Sequence, residues 1–144
     1  LKEKNLMFEW LSFQNFAIIG VALQFGGMAF FAFIFSPMIF KFMASDQASK
    51  FLRQVFPIYY RLSAGISIFP ALMLIPLPFY HLEVGILLCV AAVFLFAARI
   101  LVPMSNKARD ENSDVKFKII HRTSILIYML QWVALFIVII RLIS

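Results

Sequence analysis

From Phe13 to Phe40 the chain carries no formal charge. At 1.5 Å per residue, a helix of that length is longer than the ~30 Å hydrocarbon core of a bilayer requires. A membrane span that tilts, or that starts in the interface, is the structure this run dictates. The rest of the chain repeats the theme, with apolar runs at about 58–79, 82–104 and 119–143. The 144 residues are 63% hydrophobic and 14% charged, with mean hydropathy +0.93, whereas a soluble domain averages about 25% charged residues. The sequence therefore predicts a single all-α transmembrane domain over 1–144, an antiparallel four-helix bundle. Cys89 is the one cysteine, which excludes an internal disulfide and any cysteine-based metal cage.

The net charge of +6 would suit a nucleic-acid binder only if it gathered on a soluble face. Here the basic residues flank the spans, so they read as topology and no nucleic-acid partner is expected. The segment 41–61 holds Lys41, Lys50, Arg53 and Arg61, and 99–122 holds Arg99, Lys107, Arg109, Lys116, Lys118 and Arg122. Only Lys2, Lys4 and Arg141 fall on the other side. The positive-inside rule then puts both termini outside and the two basic segments on the cytoplasmic or matrix side, in a bacterial or mitochondrial inner membrane.

Taken in order, residues 1–12 mix Lys2, Glu3, Lys4 and Glu9 with apolar residues and read as an interfacial lead-in, with Trp10 at headgroup level and no signal-peptide pattern. In the first span, Gly20, Ala22, Gly26, Gly27 and Ala29 are small enough to let another helix approach, and Gln24 is expected to bond to a neighbouring helix. Ser36-Pro37 should bend its exit. Residues 45–56 have Phe51, Leu52, Val55 and Phe56 on one face, which predicts a short amphipathic helix lying on the membrane, capped by Ser45. Pro57 then opens the second span at its first helical position. Tyr60, Ser63 and Ser67 share a face there, the serines expected to bond back to their own helix. His81 and Glu83 sit in a short turn that makes spans two and three antiparallel neighbours.

Charge, amide and imidazole groups crowd only into Arg99 to Ser124. Arg99 lies about a turn inside the end of span three, placed either to snorkel to the headgroups or to contact the bundle. Asn106, Arg109 and Asp110 follow in the loop. Asp110 is expected to pair with Arg99 or Arg109, with Asn106 capping the loop and His121 bonded to one of them. On the fourth span His121, Ser124, Tyr128 and Gln131 recur at spacings of three and four, a polar stripe that should face the bundle. Trp132 is deep enough to pack between helices.

The segments FFAFIFSPMIFKFM, FLRQVFPIYYRLSAG, ARILVPMSNKARD and FKIIHRTS, in this order, resemble the transmembrane protein 205-like family, also labelled domain of unknown function 4149. The resemblance covers roughly residues 20 to 130 and falls on Phe56, Pro57, Tyr59, Arg99, Pro103, Asn106, Arg109, Asp110, His121 and Ser124. Where the family has an asparagine further along the fourth helix, this chain has Tyr128. The resemblance implies a four-helix membrane bundle with no established reaction. It extends, distantly, to copper-resistance D-like proteins.

Three function classes compete. No nucleophile constellation, glycine-rich phosphate loop or metal-ligand spacing is visible, which favours a non-enzymatic accessory or scaffold subunit of a larger membrane complex. Eighteen phenylalanines offer surface to lipid, to partner helices or to a second copy. A haem- or metal-handling oxidoreductase would have to ligate through His121 alone, with Met104 or Tyr60, because His81 falls at the opposite side of the membrane. No cofactor is predicted. A solute transporter would use Arg99, Arg109 and His121, with protonation of His121 as its gate, and would need to oligomerise because no inverted repeat is visible.

Overall fold

A computed structural model describes residues 12–144, and the lead-in with Trp10 lies outside the described residues. Four helices of 30 residues each account for nearly all of it: α1 (Phe13–Phe42), α2 (Ser45–Leu74), α3 (His81–Asp110) and α4 (Asp114–Ile143). Each is long and apolar enough to cross a membrane, and no strand occurs among the described residues. At 1.5 Å per residue each rod measures about 45 Å, the thickness of a bilayer with its headgroups. The helices run up and down in chain order. α1 packs on α2 and α4, and α3 packs on the same two, so α1 faces α3 and α2 faces α4 only across the diagonals.

The links are short. Met43 and Ala44 join α1 to α2, and residues 75–80, with Pro76 and Pro78, turn the chain into α3. Between α3 and α4 Asn112 adopts the left-handed conformation at φ 52°, one that asparagine tolerates. Its N–H donates to Arg109 O at 3.1 Å and the N–H of Ser113 to Ala108 O at 2.9 Å, the paired bonds of a Schellman stop. The charged stretch expected as a loop is therefore largely helix, with α3 running on to Asp110 and α4 starting at Asp114 rather than near 119.

The helix expected at 45–56 forms, but not as a separate element. It is the first three turns of α2, and Pro57 lies inside that helix rather than at its start. A proline inside a helix removes one hydrogen bond, and membrane helices tolerate this where neighbours support the backbone. The support is visible: Ala48 and Leu52 pack with Ile39 of α1, and Phe35, Met43 and Phe56 close around them. Ser45 makes no capping bond either, because the N-cap position falls on Ala44.

α1 and α3 share a second device. Each widens to one π turn, Phe31–Phe35 in α1 and Ala97–Leu101 in α3. Ser36 N–H reaches back to Phe31 O and Val102 N–H to Ala97 O, five residues in both cases. A proline follows each, Pro37 and Pro103. Because a proline crowds the carbonyl four residues before it, the wider turn takes up the displacement that Ser36-Pro37 was expected to produce as a bend.

With no hydrophobic drive between helices in lipid, small residues and close fit hold the bundle. Ala17, Ala64, Ala71 and Ala91 let Val21, Met28, Leu74, Leu87, Phe94, Leu135 and Val138 interdigitate. At Gly20 an added Cβ would stand 3.0 Å from Phe69 Cδ1 and 3.2 Å from Pro70 Cδ, so this glycine sets the approach of α1 to α2. Gly26 and Gly27 have open space there, and Ala22 faces outward. Of the small residues marked for close approach, Gly20 alone among the glycines performs it.

Candidate functional site

α1 and α4 pack along Phe13–Phe30, but from the π turn onward the α1 backbone leans only on α2. At the same end α4 leans on the last turns of α3. The bundle thus splays at its basic end, leaving a cleft of about 510 Å³ whose open side is the gap between α1 and α4. Its walls are apolar toward the membrane centre, with Phe31, Phe33, Phe56, Ile125 and Met129, and polar toward the basic end, with Arg53, Ser105, Asn106, Arg109 and His121. A polar recess of about 470 Å³ lies alongside and shares Ser49, Arg53 and Arg109 with it.

The inner end of the cleft is closed by aromatic rings and one chain of hydroxyls. Phe31 stacks on Tyr59 at 3.9 Å, and Tyr60 and Tyr128 flank Phe94 at 5.9 and 6.4 Å. Tyr128 donates to Met28 O at 2.9 Å, so its single proton is committed and the 2.6 Å contact with Tyr59 must be donated by Tyr59. One phenol therefore ties α2, α4 and α1 together just where α1 and α4 separate.

The stripe on α4 divides its work. Gln131 is buried and donates to Val90 O at 3.0 Å, while Ser124 bonds back to Ile120 O at 2.9 Å. Ser67 does the same toward Ser63 O, the local bonding expected of membrane serines. Trp132 packs between helices as its depth suggests, stacked on Phe25 at 4.5 Å and donating to Phe25 O at 3.2 Å. Gln24 is buried in the middle of α1, but its Nε2 has no partner among the described residues, so the expected interhelical bond from that amide nitrogen does not form among them.

At the basic end the expected pairing is redrawn. Asp110 pairs with Arg53 at 2.7 Å, not with Arg99 or Arg109. Since residues 45–56 stand upright as the start of α2, Arg53 comes alongside the last turn of α3. Arg99 lies on the π turn whose inward positions are Ala97, Ala98 and Leu101, and it is exposed on the outside of the bundle with no ion pair among the described residues. Arg109 donates to Ser49 Oγ and lies over the Phe117 ring at 4.3 Å from its centroid; it makes no ion pair among the described residues, and it shares the polar recess with Asp46 and Asp110. His121 stacks on the Phe117 ring itself at 5.7 Å and, with Asn106, makes no hydrogen bond among the described residues. Asn106 therefore does not cap the turn, which is closed by backbone bonds instead.

Glu83 is the site residue that the sequence left as part of a turn. It is 1% exposed and accepts through Oε1 from Arg141, while Oε2 has no partner among the described residues. A carboxylate in the first turn of an apolar span, equidistant along the chain from Asn112 with an arginine, is the signal that would have found the pair. His81 begins α3 at this far end, whereas His121 stands on the cleft wall with Tyr60, and Met104 is not among the lining residues. No group of three or more His, Cys, Asp or Glu side chains is arranged to hold a metal among the described residues.

The family described as domain of unknown function 4149 matches residues 19–114, from the first span through the close of the hairpin between α3 and α4. Neither a curated protein nor a solved structure matches the chain.

Proposed function

Since the chain belongs to the domain of unknown function 4149 family, we propose that it is a small non-enzymatic integral membrane protein, an accessory or scaffold subunit of a larger membrane assembly. The observation that carries this reading is how its interior polar groups are used. Tyr128, Gln131 and Trp132 each donate to a backbone carbonyl of another helix, so the mid-membrane stripe acts as glue between helices. The outward faces of the four helices supply the contact surface, with Phe30, Leu130, Val133 and Phe136 each at least half exposed. Its partners are other transmembrane subunits or further copies of itself, in a bacterial or mitochondrial inner membrane with the basic end on the cytoplasmic or matrix side.

The likeness to transmembrane protein 205-like proteins suits this role. The distant likeness to copper-resistance D-like proteins would instead ask His121 and Tyr60 to hold haem on the cleft wall. A haem absorption band in the purified protein that is lost on His121→Ala would replace the scaffold reading.

The test is the mass of the native particle. Extracted from its own membrane in a mild detergent, the chain should migrate with a particle several times larger than its own 16.6 kDa plus bound detergent, together with other membrane proteins. Migration as a monomer, with nothing co-purifying, would overturn the reading.

A further inference from the structure

We propose that the cleft between α1 and α4 is a binding site for one anionic glycerophospholipid drawn from the leaflet at the basic end. This inference does not depend on the accessory role. Three independent features of the cleft specify such an occupant.

The first is access. The gap between α1 and α4 lies at the side of the bundle, bordered by Phe33 and Phe40 on one helix and Ile125 on the other, all strongly exposed. In a bilayer a lateral opening of this kind meets acyl chains.

The second is polarity along the cleft. Its apolar inner half ends in Arg53, Asn106, Arg109 and His121, the order of tail, then headgroup, found in a phospholipid of the adjacent leaflet. The volume of about 510 Å³ is that of a pocket for one small ligand, enough for a headgroup and part of one chain while the other chain stays in the bilayer.

The third is charge. Arg53 is paired with Asp110, whereas Arg109 is held by a hydroxyl and a ring and makes no ion pair among the described residues; in the recess Lys50, Arg53 and Arg109 outnumber Asp46 and Asp110 by three to two. A guanidinium presents a planar set of donors that matches a phosphate, and Arg109 borders both the cleft and the polar recess beside it. A zwitterionic lipid offers the same phosphate but adds an ammonium to a recess where Lys50, Arg53 and Arg109 already outnumber Asp46 and Asp110, so an anionic headgroup is preferred.

The experiment is native mass spectrometry of the purified, delipidated chain after equilibration with mixed micelles holding equal amounts of phosphatidylglycerol and phosphatidylcholine. One phosphatidylglycerol per chain should be retained, about five-fold over phosphatidylcholine, the discrimination one favourably placed arginine supplies at a membrane surface. Arg109→Gln should abolish that preference, whereas Lys116→Gln, a similar loss of charge outside the cleft, should leave it intact. Ile125→Trp, which fills the mouth without altering charge, should remove the bound lipid altogether. Helix content and unfolding temperature are recorded for each variant, so that binding is read only from folded protein. Equal retention of the two lipids, an equal loss with Lys116→Gln, or full displacement by millimolar inorganic phosphate would each overturn the proposal. The first outcome means a cleft that does not read headgroup charge, the second means general attraction to basic helices, and the third means a phosphate site that does not read the lipid.

Discussion

Glu83 shows how much one side chain can decide in lipid. Its carboxylate is 1% exposed, and its one described partner is Arg141, itself about half exposed. Removing the arginine alone leaves a buried charge without compensation, a change that typically costs several kcal/mol. Arg141→Leu should therefore destabilise the bundle by about 3 kcal/mol, toward the low end because of that partial exposure. The double variant Arg141→Leu with Glu83→Gln should recover most of the loss. Reversible unfolding in mixed micelles measures both, and a double variant as unstable as the single would show that the pair does not act as a unit. Tyr128 works differently. It is valuable because its one proton and one acceptor site join three helices, and no charge is involved.

Among the elements, α1 illustrates how small residues divide into those that pack and those that do not. Gly20→Val would place atoms where Phe69 and Pro70 already stand, and overpacking of this kind costs about 1–3 kcal/mol. Gly27→Ala meets nothing within 4 Å and should leave stability unchanged. Equal unfolding temperatures for the two variants would rule out the close approach of α1 to α2 at Gly20. Four spans were legible in the sequence because long uncharged runs have one outcome in a bilayer. Their ends were not, because charge marks where a helix leaves hydrocarbon and not where it stops. Lys107 and Arg109 are as helical as Phe94, since the headgroup region permits α3 to continue until Asn112 turns it. Pro57 misled for a related reason, its reading as a helix start depending on a flat helix before it. Once 45–56 stands upright, Arg53 reaches Asp110, a pairing that sequence spacing alone does not suggest. Gln131 and Tyr128 were legible as inward-facing, because a polar group spaced along an apolar helix has nowhere else to go. For Arg99 the sequence left snorkelling and a bundle contact both open, because a π turn adds one residue to the helical register and rotates whatever it carries; the structure has it outward.

For the whole molecule, the basic residues at one end give the bundle a fixed sense in the proposed orientation. In a Cys89→Ser background, a cysteine introduced at Phe79, which is 89% exposed in the link between α2 and α3, should react with an impermeant maleimide on intact cells. One introduced at Glu111, in the turn between α3 and α4, should react only after lysis. The opposite pattern would invert the topology. The splay of α1 from α4 also changes what strength of attachment means. Anything entering through that gap arrives by diffusion within the membrane plane, so occupancy follows the composition of the leaflet, expressed as a mole fraction. A preference of about five-fold, too weak to capture a solute from water, half-fills the cleft once about one lipid in six carries the favoured headgroup.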